Sequence, residues 1–369
     1  MQPPPAAPGM AEHDVDTPAL LVDLDALEFN LDRMAALLDG TGVRLRAHAK
    51  THKSPLIAHM QAARGAIGQC VQKVAEAEIM AWGGVQDILV SNEVVRPAKL
   101  ARLMALSGVA RVAVCTDCDA GVDRIADAAA GAGVRQDVLV EIDTGHGRCG
   151  VAPGPDAVAL AQRIAASPHL RFAGLQAYHG TAQHMRTLDE RTVAIVAGAE
   201  ATRRTVEQLR QRGLACDIVG GGGTGSFELE AASGVFTEIQ AGSYAFMDAD
   251  YARNQGGASA GFRHALFVLS TVMSQTRAGL GVLDAGHKAV AIDSGMPLVW
   301  ERPGIAYTGA SDEHGKLEWT DGAGCRLGEK LRLVPGHCDP TVDRHDWYVG
   351  VRNGRVECLW PVAARGALF

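Results

Sequence analysis

The stretch "RLRAHAKTHKS", residues 44–54, holds two arginines, two histidines and two lysines in eleven positions. A lysine amine attacks carbonyl groups once it is neutral, and burial or neighbouring cations favour that neutral form. Val43, Leu45, Ala47 and Ala49 alternate with Arg44, Arg46, His48 and Lys50, the period-two pattern of a strand with one packed and one polar face. Lys50 shares its face with Arg46 and His48, which predicts that its ammonium form is disfavoured. Lys53 lies beyond the break at Thr51 and His52 and reads as a bystander. The same run would also suit a solvated edge strand, so the role of Lys50 depends on what the rest of the chain brings to it.

"GGGGTGS", residues 220–226, directly follows an apolar run. Closely spaced glycines let backbone N–H groups approach an anion, and hydroxyls add donors. Gly222, Gly223, Thr224, Gly225 and Ser226 are therefore a candidate phosphate cup, and "AGSYAFMD" (241–248) offers Gly242, Ser243 and Tyr244 as its second wall. No GK[ST] follows, which excludes a Walker A loop. A reactive lysine on one side and a phosphate cup on the other suggest pyridoxal 5'-phosphate, whose aldehyde joins the lysine while its phosphate anchors the far end. Arg148, in "DTGHGRCG", then faces the pyridine nitrogen, and Tyr178 packs on or near the ring.

"PGHCDPTVDRHDW" (335–347) carries a further constellation. If "LRLVPGHCD" is extended, His337 and Asp339 point one way and Cys338 the other. Imidazole plus carboxylate suits Mn²⁺ or Mg²⁺, with Zn²⁺ as an alternative. Two protein ligands leave coordination positions open for substrate. A polar turn closing a β-hairpin would use the same residues, and Asp343, His345 and Asp346 read as turn residues.

The elements that must position these groups follow from periodicity. From about residue 18 to 250 eight short apolar runs alternate with helical-period segments, which predicts a (β/α)8 TIM-like barrel. Lys50, Arg148, Tyr178, His184 and both glycine segments fall after strands, on the rim where such barrels carry chemistry. After residue 260 strands separated by short turns predict a β-rich C-terminal domain. The expected organisation is residues 1–24 as an arm and strand joining the β domain, 25–257 as the barrel, and 258–369 as the β domain with the metal site.

Composition bounds the rest. With 47% hydrophobic and 21% charged residues and a formal charge of −7, neither a nucleic-acid nor an anionic-membrane surface is expected. No run is long enough to span a bilayer, and the start lacks the pattern of a secretory signal. Eight scattered cysteines form no disulfide framework, and "CTDC" (115–118) has no second pair to complete a zinc knuckle. A reducing cytoplasm is the expected compartment.

"RAHAKTHK", "CVQKVAEAE", "GRCGV", "LQAYHG", "GGGTGS", "QAGSYAFMDADY", "SDEHG" and "PGHCDPT" occur in order from about residue 16 onward. Together they resemble the D-threonine aldolase family, of the alanine racemase-like class. The closing "HDWYVGVRNGRVECLWPVAARG" is similar to 3-hydroxy-D-aspartate aldolases. The resemblance implies that Lys50 carries the pyridoxal phosphate and that His337 and Asp339 hold the metal. It implies that His184 is the base for the substrate hydroxyl, with a metal-bound water as the other candidate and His179 a weaker one. It also implies a homodimer. Eukaryotic D-serine dehydratases share "HAKTHK" more distantly, but their metal motif has cysteine where this chain has Asp339.

The implied reaction is retro-aldol cleavage of a 3-hydroxy D-amino acid to glycine and an aldehyde. The rival is β-elimination to ammonia and a keto acid, as in D-serine or D-threo-3-hydroxyaspartate dehydratases. A racemase would need a second base that cannot be placed, and a pyridoxal phosphate carrier would not need the β domain. Asp312 or His314 of "SDEHG" is a candidate for closing the pocket; Arg186, Lys288 and Arg253 are candidates for receiving a β-carboxylate.

Overall fold

β1 (Ala19–Asp23) opens the regular structure in the computed structural model, which describes residues 2–320 and 324–369. The strands that follow are β2 (Arg44–His48), β3 (Gly68–Val71), β4 (Asp87–Glu93), β5 (Arg111–Thr116), β6 (Gln136–Glu141), β7 (Leu170–Gln176), β8 (Ile218–Gly221) and β9 (Glu238–Ile239). These eight are parallel and close into a barrel, with helices between them. Pro55, Pro97 and Pro155 each begin a helix, where the missing N–H leaves no bond unmade. The long helix Leu188–Gln211 starts in a capping box of Thr187 and Glu190, which satisfies two otherwise free backbone donors.

Alternation along the strands sorts the barrel into layers. Val71, Val90, Val114, Val140 and Val219 pack outward into the core shared with the helices. Cys70, Leu89, Ala113, Cys115, Leu139, Ala173 and Ile218 form a separate inner cluster. Two cysteines thus serve as small apolar fillers, and all eight are free thiols.

The second sheet comprises β10 (Leu266–Arg277), β11 (Leu280–Leu283), β12 (Leu298–Val299), β13 (Ile305–Ala310), β14 (Gly315–Trp319), β15 (Lys330–Val334), β16 (Trp347–Arg352) and β17 (Arg355–Pro361). β1 completes it, antiparallel to β10 and parallel to β16. One core contains Leu20, Leu45 and Ala47 together with Val268, Leu333, Cys338 and Tyr348, so the sheet is seated against the barrel by continuous apolar packing. Among the described residues no helix is long and apolar enough to cross a membrane.

"LRLVPGHCD" departs from the expected extended strand. β15 ends at Val334, and His337 caps a short helix, Cys338–Val342. Pro335 and Gly336 interrupt the ladder first, since proline lacks a donor for it.

Candidate active site

The polar face of β2 turns into the barrel. Arg46 is buried and donates to both oxygens of Glu238, at 2.8 and 3.1 Å, and to Asp87 at 2.6 Å. Two carboxylates match its charge, so it does not act on Lys50 as the sequence pattern suggested. His48 lies further up the barrel, and burial, reinforced by Lys50, holds its pKa well below the ordinary histidine value. Burial also works against the Lys50 ammonium, but Asp339, with its Oδ2 at 3.4 Å, and Tyr178 outweigh it. The Lys50 pKa therefore lies above the ordinary value. This corrects the expectation of a disfavoured ammonium, which rested on Arg46 and His48 and could not foresee Asp339.

Lys50 opens into a cavity of about 280 Å³ lined by residues at the carboxyl ends of the strands. Gln72 follows β3, Asn92 lies on β4, Arg148 follows β6, Tyr178 follows β7, and Gly223 and Thr224 follow β8. Gly242 and Ser243, after β9, close the ring beside Thr51. Of the residues expected to form a phosphate cup, Gly222, Gly225 and Ser226 do not line the cavity. Gly225 N–H donates to Gln183 at 2.9 Å, and Ser226 Oγ is held by Gln183 and Glu230. Tyr244 is also displaced from its expected role. Its side chain is buried toward Gln61, whose Nε2 donates to the phenol oxygen at 3.0 Å, while its backbone N–H donates to Thr224 Oγ1 at 2.9 Å.

The remaining cradle fits a phosphate-bearing ring. A Cβ on Gly242 would lie 2.7 Å from the His48 carbonyl oxygen, so only glycine permits this close approach. Thr224 and Ser243 bring buried hydroxyls to the same wall, and the volume is near the lower end for small-molecule pockets.

His337 and Asp339 converge without the strand that was expected to align them. His337 Nδ1 lies 2.8 Å from Asp293 Oδ2, and its Nε2 lies 4.0 Å from Asp339 Oδ2. Asp339 Oδ1 is buried without a hydrogen-bond partner. An imidazole nitrogen and a nearby carboxylate, one of whose oxygens is buried without a partner, are donors of the type that suits a divalent ion with open positions. Burial raises the Asp339 pKa, but Lys50 and His337 more than reverse this and keep it ionised.

His184 stands beside the cavity lining, its ring centroid 5.9 Å from that of Tyr251, which does line it. Asp250 Oδ2 lies 2.5 Å from His184 Nδ1. Burial would raise the Asp250 pKa, but His184 and Arg186 bring it down to about 2. The three cations weighed for a β-carboxylate are all engaged: Arg186 and Arg253 with Asp250, and exposed Lys288 with Glu313. Asp312 and His314 are exposed and outside the cavity lining. Lys53, expected to be a bystander, is buried and paired with Glu76 and Asp343.

Sequence reasoning missed Asp293, Asp250 and Gln72. Asp250 adjoins "AGSYAFMD", which could have drawn attention to it, whereas Asp293 in "AIDSG" carries no local signal. Behind Arg148, Glu141 lies at 3.9 Å, and Glu93, Asp117 and Cys149 gather within 4.8 Å of one another. Burial, with Glu93 alongside, pushes the Glu141 pKa up to about 8.

The family model "Alanine racemase, N-terminal domain" matches residues 22–250, and "Putative serine dehydratase domain" matches residues 265–351. A 3-hydroxy-D-aspartate aldolase of Paracoccus denitrificans (strain Pd 1222) is 47% identical over 376 residues, covering 98% of this chain and 95% of its own. A D-threonine aldolase of an Arthrobacter species is 49% identical over 365 residues, covering 99% and 96%. Among solved structures, a D-threonine aldolase from Filomicrobium marinum matches with a TM-score of 0.97 at 51% identity, covering 99% of this chain and 100% of its own.

Proposed function

For a chain that belongs to the alanine racemase-like aldolases and is a carbon–carbon lyase, we propose retro-aldol cleavage of 3-hydroxy D-amino acids to glycine and an aldehyde, dependent on pyridoxal phosphate and a divalent metal. The observation that carries this reading is the 3.4 Å approach of Lys50 Nζ to Asp339 Oδ2. An amino group processed at Lys50 would then lie near the His337–Asp339 pair, and the β-hydroxyl, three bonds from that nitrogen, would come within reach of the pair.

Lys50 would hold the cofactor aldehyde; Gly223, Thr224, Gly242 and Ser243 would hold its phosphate; Arg148 and Tyr178 would border its ring. His337 and Asp339 would hold the metal, Mn²⁺ or Mg²⁺ by donor type, with Zn²⁺ the alternative. Bound there, the cofactor supplies an electron sink for the charge left on Cα and the metal acidifies the hydroxyl. Asp339, which pairs with the Lys50 ammonium here, would hold it less strongly if it also served a cation, and the neutral amine would then be more accessible. His184 Nδ1, oriented by Asp250, leaves Nε2 to take the hydroxyl proton. The Cα–Cβ bond breaks as that proton leaves, the Cβ fragment departs as the aldehyde, and Cα regains a proton to become glycine. Carboxylate at position 339 favours this over the dehydratase pattern with cysteine. The working unit proposed is a cytoplasmic homodimer acting on a free amino acid, with no nucleic-acid or membrane partner; eight free thiols support a reducing compartment.

Purified protein with pyridoxal phosphate and Mn²⁺ should release glycine with acetaldehyde from D-threonine, or glycine with glyoxylate from D-threo- or D-erythro-3-hydroxyaspartate. Ammonia and a keto acid without glycine would refute the reading in favour of elimination.

A further inference from the structure

Two lysines three residues apart face two aspartates four residues apart. Lys50 Nζ lies 3.4 Å from Asp339 Oδ2, and Lys53 Nζ lies 3.3 Å from Asp343 Oδ1. Asp343 caps the short helix that begins after His337, so the aspartates stand one turn apart on one face. The two pairs differ in what else they do. Lys50 and Asp339 are both engaged by the proposed chemistry, whereas Lys53 and Asp343 have no part in it.

Lys53 is also tied to the barrel. Its Nζ donates to Glu76 Oε1 at 2.9 Å, and Glu76 Oε2 accepts the backbone N–H groups of Gln72 and Lys73 at 2.9 and 3.1 Å. The Lys53 carbonyl accepts Ala364 N–H at 2.9 Å. Its backbone is left-handed, at φ 48°, a conformation that persists in a non-glycine residue only where surrounding contacts hold it. At the other end of the helix, Asp248 Oδ2 accepts Cys338 N–H at 3.0 Å. The turn bearing His337 and Asp339 is thus fastened to barrel residues at both ends, and at one of them by a largely buried charge.

We propose that Lys53, through Glu76 and Asp343, is a positioning residue that sets the distance between the His337–Asp339 pair and Lys50. This rests on reading Lys50 as the cofactor lysine and His337 and Asp339 as metal ligands. A buried ion pair is a poor source of net stability but can select one geometry over others, and a reaction spanning two separately held groups is sensitive to about 1 Å of misplacement.

Asp343→Asn keeps an acceptor for Gly366 N–H and leaves Lys53 on Glu76, removing only the charged link to the helix. Lys53→Met removes both links, and Lys53→Arg restores the charge. In protein loaded with pyridoxal phosphate and Mn²⁺, paramagnetic relaxation of the cofactor phosphorus reports the metal–phosphate distance independently of turnover. Asp343→Asn should keep the cofactor absorbance and Mn²⁺ stoichiometry while the relaxation rate shifts. Its kcat should fall roughly tenfold to a hundredfold with KM nearly unchanged, and Lys53→Arg should recover most of the relaxation rate. Unchanged relaxation and kcat in folded Asp343→Asn and Lys53→Met would overturn the assignment, as would loss of Mn²⁺ stoichiometry in Asp343→Asn. A wild type that cleaves no 3-hydroxy D-amino acid yet shows Mn²⁺-relaxed phosphorus would sink the functional reading alone, with the clamp then judged on relaxation. A wild type without any Mn²⁺ effect would overturn both.

Discussion

Replacing Asp293 with alanine should weaken Mn²⁺ binding about tenfold, and the size follows from the geometry around His337. A neutral imidazole keeps one proton. A carboxylate 2.8 Å from Nδ1 draws that proton there and leaves the Nε2 lone pair toward Asp339, 4.0 Å away. Loss of such an orienting partner commonly costs about 10- to 100-fold in metal affinity, or about 1.4–2.7 kcal/mol. The Asp293 side chain is 53% exposed, so water replaces part of its effect and the lower end applies, about 1.4 kcal/mol. Free aquo-Mn²⁺, measured by electron paramagnetic resonance in titrations of cofactor-loaded protein, gives the dissociation constant directly. The titration belongs at alkaline pH. Burial disfavours the charged His337, but Asp339 and Asp293 together hold its pKa above the ordinary value. At lower pH, removing Asp293 would also weaken proton competition and mask the loss. An alkaline-pH dissociation constant within about twofold of wild type would refute the orienting role.

Lys50→Ala should abolish the visible absorbance of added pyridoxal phosphate; a retained band would move the cofactor to another amine. Tyr244→Phe should leave cofactor affinity unchanged and cost about 1 kcal/mol in denaturant unfolding for the lost Gln61 bond, whereas weakened cofactor binding would return the phenol to the cup. Glu141 titrates at about 8, raised chiefly by burial. A carboxyl with a raised folded-state pKa contributes stability that is complete below its unfolded pKa of about 4.3 and lost as pH rises through the folded value. Glu141→Gln should therefore flatten the fall in stability between those limits, by on the order of 5 kcal/mol. Parallel stability curves for the variant and wild type would rule this out.

The barrel was legible because its signal is local and repeated. Apolar runs, helical periods and turn residues each reflect one segment's own need to bury a face, and eight in succession left little else. Lys50 was legible for a related reason: parity along β2 assigns it to the face of Arg46 and His48, and that face does turn into the barrel. Glycine spacing likewise singled out Gly223 and Gly242, which do meet at the cavity wall, since close backbone approach needs glycine whatever surrounds it.

The errors share one cause, which is that the partner of a side chain lies far away in sequence. Arg46 is neutralised from β4 and β9, by Asp87 and Glu238, so its effect on Lys50 could not be judged from β2 alone. Tyr244 and Ser226 have suitable chemistry but point toward Gln61 and toward Gln183 and Glu230. His337 and Asp339 meet through a helical turn rather than a strand, because Pro335 and Gly336 end β15. The sequence by itself determined the repeating elements, the residue types available to them and the lysine that faces inward. Only the closed barrel and the sheet seated on it decided which charges meet, because electrostatic and hydrogen-bond partners depend on distance in space, which chain spacing does not specify.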